Sequence, residues 1–218
     1  MHNYNEILIL HPLDDSTSFL EPFKEYFPNY YHSFDSSLQA IQAAKAKLGD
    51  LESKCLVIFI GHGSSFGLYE PSVQSEHEKY FLDVQWGNHY FDQHDVLLLC
   101  CRSNKYIEKM YHASSLIGFG NIISSSKELE IHNESASTKK LLTENEISLF
   151  KSYFIRAIVD SIKLLESGKI TFHQLPNYIS FIINKHIVST LKDKSNNNRI
   201  ELAKLLFEFR NEIAYKSN

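Results

Sequence analysis

This 218-residue chain lacks an excess of basic residues, and it lacks any long apolar run. It holds 22 Lys and Arg against 26 Asp and Glu, which gives a formal net charge of −4. Proteins that bind nucleic acid need clustered positive charge to neutralise phosphates, so we expect no nucleic-acid partner. A membrane-spanning helix needs about 20 predominantly apolar residues, and no such run is present, so we expect no membrane span.

Cysteine is scarce, and two of the three cysteines, Cys100 and Cys101, are adjacent. Neighbouring cysteines are poorly placed to bridge each other, and three are too few for a disulfide framework. The first six residues have neither the basic start nor the apolar stretch of a signal peptide. These absences favour a cytoplasmic protein with reduced thiols.

The sequence also lacks the usual metal-ligand spacings. None of the 11 His belongs to an HExxH motif. A zinc site made from His62, Cys100 and Cys101 would need two adjacent thiolates, which are an awkward chelate for a tetrahedral ion. We therefore expect neither a metal nor a cofactor, and we expect the ten other His to lie in loops or on the surface.

Two short apolar runs dominate what is present. Residues 56–60 read LVIFI and run into Gly61-His62-Gly63, and residues 96–99 read VLLL and run into Cys100-Cys101. Runs without in/out alternation are typical of central parallel strands that are covered on both faces. The carboxyl ends of such strands lie at one edge of the sheet, where catalytic groups gather. His62 and Cys101 are 39 residues apart (101 − 62), which leaves room for a crossover.

Other segments complete an α/β pattern. Residues 7–10 and 116–119 read as strands, and Asp14 and Asp15 follow the first of them. Asp35-Ser36-Ser37 supplies the N-cap of a helix that ends near Gly49, and a capping box from Thr143 to Glu146 opens a longer helix. Its apolar stripe comprises Ile147, Phe150, Phe154, Ile158, Ser161 and Leu165. Further helices are predicted over residues 104–112, after Pro176 and over residues 200–213. Residues 66–95 are predicted to form an irregular crossover and residues 124–142 an exposed loop, whereas residues 19–31 are left unassigned.

The two motifs together resemble those of a known family. Ile60-Gly61-His62-Gly63 is similar to the His-Gly element of the caspase-like cysteine peptidases, and Cys100-Cys101-Arg102-Ser103 is similar to their Cys element, in particular that of the CHAT type. The resemblance implies a three-layer sandwich with a mainly parallel central sheet, helices on both faces and extra C-terminal helices. Residues 1–192 would form the peptidase domain, and 193–218 a linker and an amphipathic helix packed on it.

The resemblance also implies roles for individual residues. Cys101 would be the nucleophile and His62 its acid–base partner, and the backbone amides of Gly63 and Cys101 would form the oxyanion hole. Side-chain alternation along a strand turns Cys100 into the sheet. The family's loop after the first strand helps to bind the substrate side chain, so Asp14 and Asp15 would favour Lys or Arg there. The same residues also suit an ordinary turn or helix cap.

The function implied is that of a cysteine endopeptidase, which cleaves a protein substrate through an acyl-enzyme. The resemblance also implies a regulatory or activating protein as a second partner, and bacterial defence as the setting. One alternative is a non-catalytic caspase-like module that binds a partner, because Cys100 stands where the family usually has Ala. Another is a serine hydrolase, because residues 63–67 match Gly-x-Ser-x-Gly with Ser65 as nucleophile. That motif must lead from a strand into a helix, which Pro71 discourages.

Overall fold

A computed structural model of the chain describes residues 4–72, 79–135 and 139–218. The chain divides into two compact units. Unit 1 comprises the chain up to Asn121 together with Ile213–Asn218, and unit 2 comprises Ile122–Glu212. The domain boundary predicted between residues 192 and 193 falls inside unit 2. The last six residues belong to unit 1, although the chain reaches them only after passing through unit 2.

Unit 1 is built on a six-stranded sheet and a small hairpin. In chain order, its described strands are β1 Ile7–Pro12, β2 Tyr31–Phe34, β3 Leu56–Ile60, β4 Gly67–Tyr69, β5 Tyr80–Asp83, β6 Asp95–Leu99, β7 Ser115–Gly118 and β8 Ala214–Ser217. The sheet has the order β2-β1-β3-β6-β7-β8; all its neighbours are parallel except β7 and β8, which are antiparallel. β4 and β5 form the separate antiparallel hairpin. The predicted α/β fold with a mainly parallel sheet is therefore confirmed.

The two apolar runs form the centre of this sheet, as predicted. Every residue of β3 is buried, and so is every residue of β6 after Asp95. On one face Leu10, Phe59 and Leu98 belong to a core cluster that also takes in residues of α2, Leu38–Gly49. The alternate side chains, such as Ile58 and Leu97, are equally buried. Because both faces are dry, the strands need no polar alternation.

Short helices connect the strands of unit 1. They are a 3-10 helix at Asp15–Leu20, α1 at Pro22–Tyr26, α2, α3 at Val84–Tyr90 and α4 at Ser103–Ile107. Within the predicted cap Asp35-Ser36-Ser37, Ser37 is the residue that caps α2, since its Oγ accepts the amide proton of Ala40. α4 ends well before His112, so the helix predicted over 104–112 is too long.

Unit 2 is helical. It comprises α5 Ser126–Ser135, α6 Glu144–Glu166, a 3-10 helix at Phe172–Gln174, α7 Leu175–Lys192 and α8 Arg199–Asn211. α6 opens with the predicted capping box, and its predicted apolar stripe is buried. α7 and α8 pack against each other. The exposed loop predicted over 124–142 is wrong in part, because α5 lies within it. Among the described helices, none is both long and apolar enough to cross a bilayer.

The order of the strands predicts a crevice in unit 1, outside the carboxyl ends of β1 and β3. From β1 the chain goes to β2 on one side, and it then returns to place β3 on the other side of β1. In open α/β sheets, ligands bind outside the carboxyl ends of the strands at such a reversal of direction. The loops that leave β1 and β3 at this point carry Asp14, Asp15 and His62.

Candidate active site

The loops after β3 and β6 leave the sheet side by side. Ile60 is paired with Leu99 at the end of the two strands, and the amide of Gly61 donates to the carbonyl of Leu99 at 3.2 Å. His62 and Cys101 each lie two residues beyond this last pair. Because neighbouring strands lie about 4.8 Å apart, the two residues leave the same edge of the sheet as neighbours.

The Cys-bearing loop is fixed by hydrogen bonds immediately after β6. The chain turns at Cys100, whose amide donates to the carbonyl of Leu98 at 3.0 Å, and Arg102 takes a left-handed conformation with φ 57°. Buried Ser103 accepts the amide proton of Phe119 at 2.8 Å, and its hydroxyl donates back to the Leu98 carbonyl at 2.7 Å. Ser103 therefore ties the loop to the segment after β7. The sequence motif marked it only as a small residue.

The two adjacent thiols have different surroundings. Cys100 is 1% exposed, whereas Cys101 is only partly buried. Burial, assisted by the neighbouring Cys101, raises the pKa of the Cys100 thiol far above its ordinary value. Cys100 therefore stays protonated and inert at neutral pH. Cys101 is the thiol that a substrate can reach.

Gly63 is a glycine because its backbone lies directly on Cys100. A Cβ at residue 63 would come within 2.5 Å of the Cys100 Sγ. Gly63 also lies opposite Leu68 in an isolated antiparallel bridge. The hydrogen bonds of this bridge are made by the flanking residues: the Ser64 amide donates to the Gly67 carbonyl, and the Tyr69 amide donates to the His62 carbonyl. The Gly63 amide is therefore not used by this pairing.

We expect Gly63→Ala to lower the free energy of unfolding by about 1–3 kcal/mol, the usual cost of overpacking a filled site. Urea denaturation measures this change. Gly49→Ala is the matched control, because an added Cβ there would have its nearest neighbour, a Tyr90 ring atom, at 3.5 Å. Adding Cys100→Ala to Gly63→Ala should recover part of the loss, since it removes the Sγ. An unchanged midpoint in Gly63→Ala would show that the approach to Cys100 is not tight.

His62 contacts the loop after β1. Its Nε2 lies 2.6 Å from the Oγ of Ser16, and 3.3 and 3.4 Å from the two carboxylate oxygens of Asp14. The side chains of His62 and Asp14 are 18% and 4% exposed. The Oδ1 of Asp14 also accepts from the backbone amides of Ser16 at 2.9 Å and Thr17 at 3.0 Å. Asp14 thus caps the 3-10 helix and contacts the imidazole with the same carboxylate.

Asp14 is held in its charged form. Burial alone would raise the pKa of its carboxyl, but hydrogen bonds from His62 and Ser16, the charge of His62 and the Thr17 amide outweigh burial and lower this pKa to about 2. A carboxylate engaged in this way faces His62 within the crevice. Asp15 is exposed, so of the two predicted substrate-binding residues it is the one open to a substrate side chain.

His11 lies in β1 and is fully buried. The expectation that this histidine lies in a loop or on the surface is therefore wrong. Its Nδ1 lies 2.6 Å from the Tyr31 hydroxyl. Burial is the main cause that lowers the pKa of His11 to about 4, with the nearby His62 adding to it and Asp14 opposing it. His11 is therefore neutral at physiological pH. His94 is buried as well, and its Nδ1 accepts from the Cys55 amide at 3.3 Å.

The segment after Ser65 bears on the serine-hydrolase alternative. Ser65 is followed by β4, which pairs with β5 in a hairpin. The nucleophile of a Gly-x-Ser-x-Gly motif lies instead on a turn from a strand into a helix. The residues around Ser65 therefore do not have the geometry of that motif.

Comparisons with protein-family models, curated proteins and solved structures find no match to this chain. Within residues 4–72, 79–135 and 139–218, no group of three or more His, Cys, Asp or Glu side chains is arranged to hold a metal ion. The chemistry of the crevice therefore has to be argued from its own residues: a half-buried thiol, an imidazole on the adjacent strand, and an ionised carboxylate and a hydroxyl at that imidazole.

Proposed function

We propose that this protein is a cysteine endopeptidase of the caspase-like, CHAT type, in which His62 and Cys101 form the catalytic dyad. One observation carries the proposal. The two residues leave adjacent parallel strands at equivalent positions at the carboxyl edge of the sheet, and β3 also borders the point where the strand order reverses. The burial of Cys100 supports Cys101 as the nucleophile, because only one of the two thiols is accessible.

The first half of the reaction is acylation. The Cys101 thiol passes its proton to the His62 imidazole, and the thiolate attacks the carbonyl carbon of the scissile peptide bond. The resulting tetrahedral intermediate carries a negative oxygen. His62 then gives its proton to the leaving nitrogen, the C–N bond breaks, and the C-terminal product departs as an amine. The N-terminal product stays bound to Cys101 as a thioester.

The second half is deacylation. A water molecule gives a proton to His62 and attacks the thioester carbonyl, and the C–S bond then breaks. His62 returns its proton to the Cys101 sulfur, and the N-terminal product leaves as a carboxylic acid that ionises. In both halves the backbone amides of Gly63 and Cys101 would donate hydrogen bonds to the negative oxygen. The absence of a Cβ at Gly63 lets the substrate carbonyl approach the backbone.

The substrate in this proposal is a protein segment bound across the carboxyl edge of the sheet. The exposed carboxylate of Asp15 would favour Lys or Arg before the cut, whereas Arg102, next to the nucleophile and also exposed, would favour an acidic residue. A regulatory or activating protein and a role in bacterial defence in the cytoplasm complete the proposal, as the resemblance of the two motifs implies. A peptide-library cleavage profile distinguishes the two charge preferences.

We expect a peptidyl acyloxymethyl ketone to add one covalent group to the protein, on the Cys101 sulfur. The reagent reacts with an activated thiolate in a peptide-binding site, and Cys100 is both buried and protonated. Intact-protein mass spectrometry gives the stoichiometry, and peptide mapping gives the site.

The simple alkylating agent iodoacetamide is the control, since it labels exposed thiols without needing a peptide-binding site. A non-catalytic binding module would react with iodoacetamide but not with the peptidyl reagent. That result would favour the binding module over the endopeptidase. Addition at Cys100 or Cys55 would instead contradict the choice of nucleophile.

A further inference from the structure

The contact between the β1 loop and His62 determines which nitrogen of the imidazole carries the proton. Ser16 Oγ lies 2.6 Å from Asp14 Oδ1 and also 2.6 Å from His62 Nε2. Both distances are those of hydrogen bonds, but a serine hydroxyl has a single proton to donate. Only one of its two neighbours can therefore be its acceptor.

The charge of Asp14 decides between the two neighbours. An ionised carboxylate can only accept hydrogen bonds, and the pKa of Asp14 of about 2 keeps it ionised at neutral pH. If the Ser16 proton pointed to His62, two oxygens would face each other at 2.6 Å with no proton between them. The Ser16 hydroxyl therefore donates to Asp14, and its oxygen accepts a proton from His62 Nε2.

We propose that Asp14 and Ser16 are positioning residues that hold neutral His62 as the tautomer with the proton on Nε2, so that Nδ1 is the nitrogen that exchanges protons with the Cys101 sulfur and with the leaving group. The catalytic consequence rests on the proposed function, whereas the tautomer itself does not. When His62 becomes charged, the same Nε2–H group stays bonded to Ser16, beside the negative charge of Asp14, which stabilises the imidazolium.

The tautomer is measured directly by nitrogen-15 NMR of protein labelled at histidine, at mildly alkaline pH. The His62 signals are those missing from the spectrum of His62→Gln. We expect Nε2 to show the shift of a protonated ring nitrogen and Nδ1 that of an unprotonated one. The opposite pattern in the wild-type protein would overturn the proposal.

Asp14→Asn tests the cause. Because the two backbone amides at Ser16 and Thr17 still require an acceptor, the amide oxygen of Asn takes the Oδ1 place. Its NH2 group then lies at the Oδ2 place, 3.3 Å from Nε2, where it can only donate. Ser16 can still donate to this amide oxygen, so we expect Nε2 to keep its proton, whereas loss of the negative charge should lower kcat about tenfold or more, with KM little changed.

Asp15→Asn is the matched control for the tautomer, since it removes the same charge from the exposed neighbour of Asp14. It should leave the His62 signals unchanged. A wild-type kcat in Asp14→Asn would overturn the role of Asp14. Ser16→Ala should lower kcat less than Asp14→Asn does, and Ser16→Thr should restore it; Ser18→Ala, which alters an exposed serine of the same loop, should have no effect. Equal activity in Ser16→Ala and the wild type would overturn the role of Ser16.

The outcomes separate this inference from the proposed function. If the predicted tautomers are observed but no peptide is cleaved and no peptidyl reagent adds to Cys101, the endopeptidase is refuted, and the positioning of His62 by Asp14 and Ser16 stands. If peptides are cleaved but His62 carries its proton on Nδ1, the endopeptidase stands and this inference fails.

Discussion

Cys101→Ala should abolish peptide cleavage, and Cys100→Ala should keep most of it. Without a sulfur at residue 101 no thioester can form, so the covalent route is lost altogether. Cys100 is buried, and burial keeps its thiol protonated, so it cannot replace its neighbour. Initial rates on a fluorogenic peptide, measured at equal protein concentrations, give the comparison.

Folding has to be checked in both variants, because Cys100 packs against Gly63. We expect Cys100→Ala to lose about 1 kcal/mol of stability, the typical effect of a small core deletion, and to remain folded at room temperature. Loss of activity in a folded Cys100→Ala protein with full activity in Cys101→Ala would reverse the assignment. Equal loss in both would indicate that the whole loop, rather than one thiol, is needed.

His62→Ala should lower kcat by about a hundredfold or more, the usual contribution of a general acid–base. The imidazole is needed twice in each half of the reaction, once to take a proton and once to return it. The substitution also removes the partner that Asp14 and Ser16 contact. The kinetic parameters kcat and KM are determined separately, because the loss of a role in proton transfer lowers mainly kcat.

His89→Gln is the matched control, since His89 is an exposed histidine of unit 1 that contacts Trp86. It should retain the wild-type rate. If folded His62→Ala turned over peptide as fast as the wild-type protein, His62 would be a structural residue and the dyad would be wrong. A rise in KM at constant kcat would instead indicate a role in binding.

The centre of the fold could be predicted from the sequence because its strands are covered on both faces. β1, β3 and β6 each contain an uninterrupted apolar run, and a run of this length between turn signals is typical of a buried strand. The capping box at Thr143 likewise marks the start of α6 by local chemistry. In each case the signal lies within the segment itself.

The edges of the sheet could not be predicted in this way. β2, residues YHSF, is mostly half-buried, and β8, residues AYKS, alternates between half-buried and exposed positions. Neither contains an apolar run, and each becomes a strand only because a neighbour offers it hydrogen bonds. α5 was missed for the related reason that its sequence, SKELEIHNES, is mostly polar.

The positions of the two dyad residues could be predicted from the sequence, but the contacts that hold His62 in place could not. His62 and Cys101 follow strong strands, so their positions could be read from the sequence. Ser16 and His62 lie 46 residues apart in sequence, and their contact depends on how the β1 loop turns. The sequence did contain one signal: Asp14 followed three residues later by Thr17 is typical of a helix cap, and a cap holds its carboxylate against the first amides of the helix.

The last strand has a consequence for synthesis on the ribosome. Gly118 of β7 pairs with Ala214 of β8, which is 96 residues later (214 − 118). At translation rates of about 5–20 residues per second, β8 is synthesised roughly 5–20 s after β7, and the outer edge of β7 lacks its neighbouring strand during that time. An unpaired strand edge is a site of aggregation. Nascent chains should therefore be most prone to self-association after β7 has emerged and before β8 has been made.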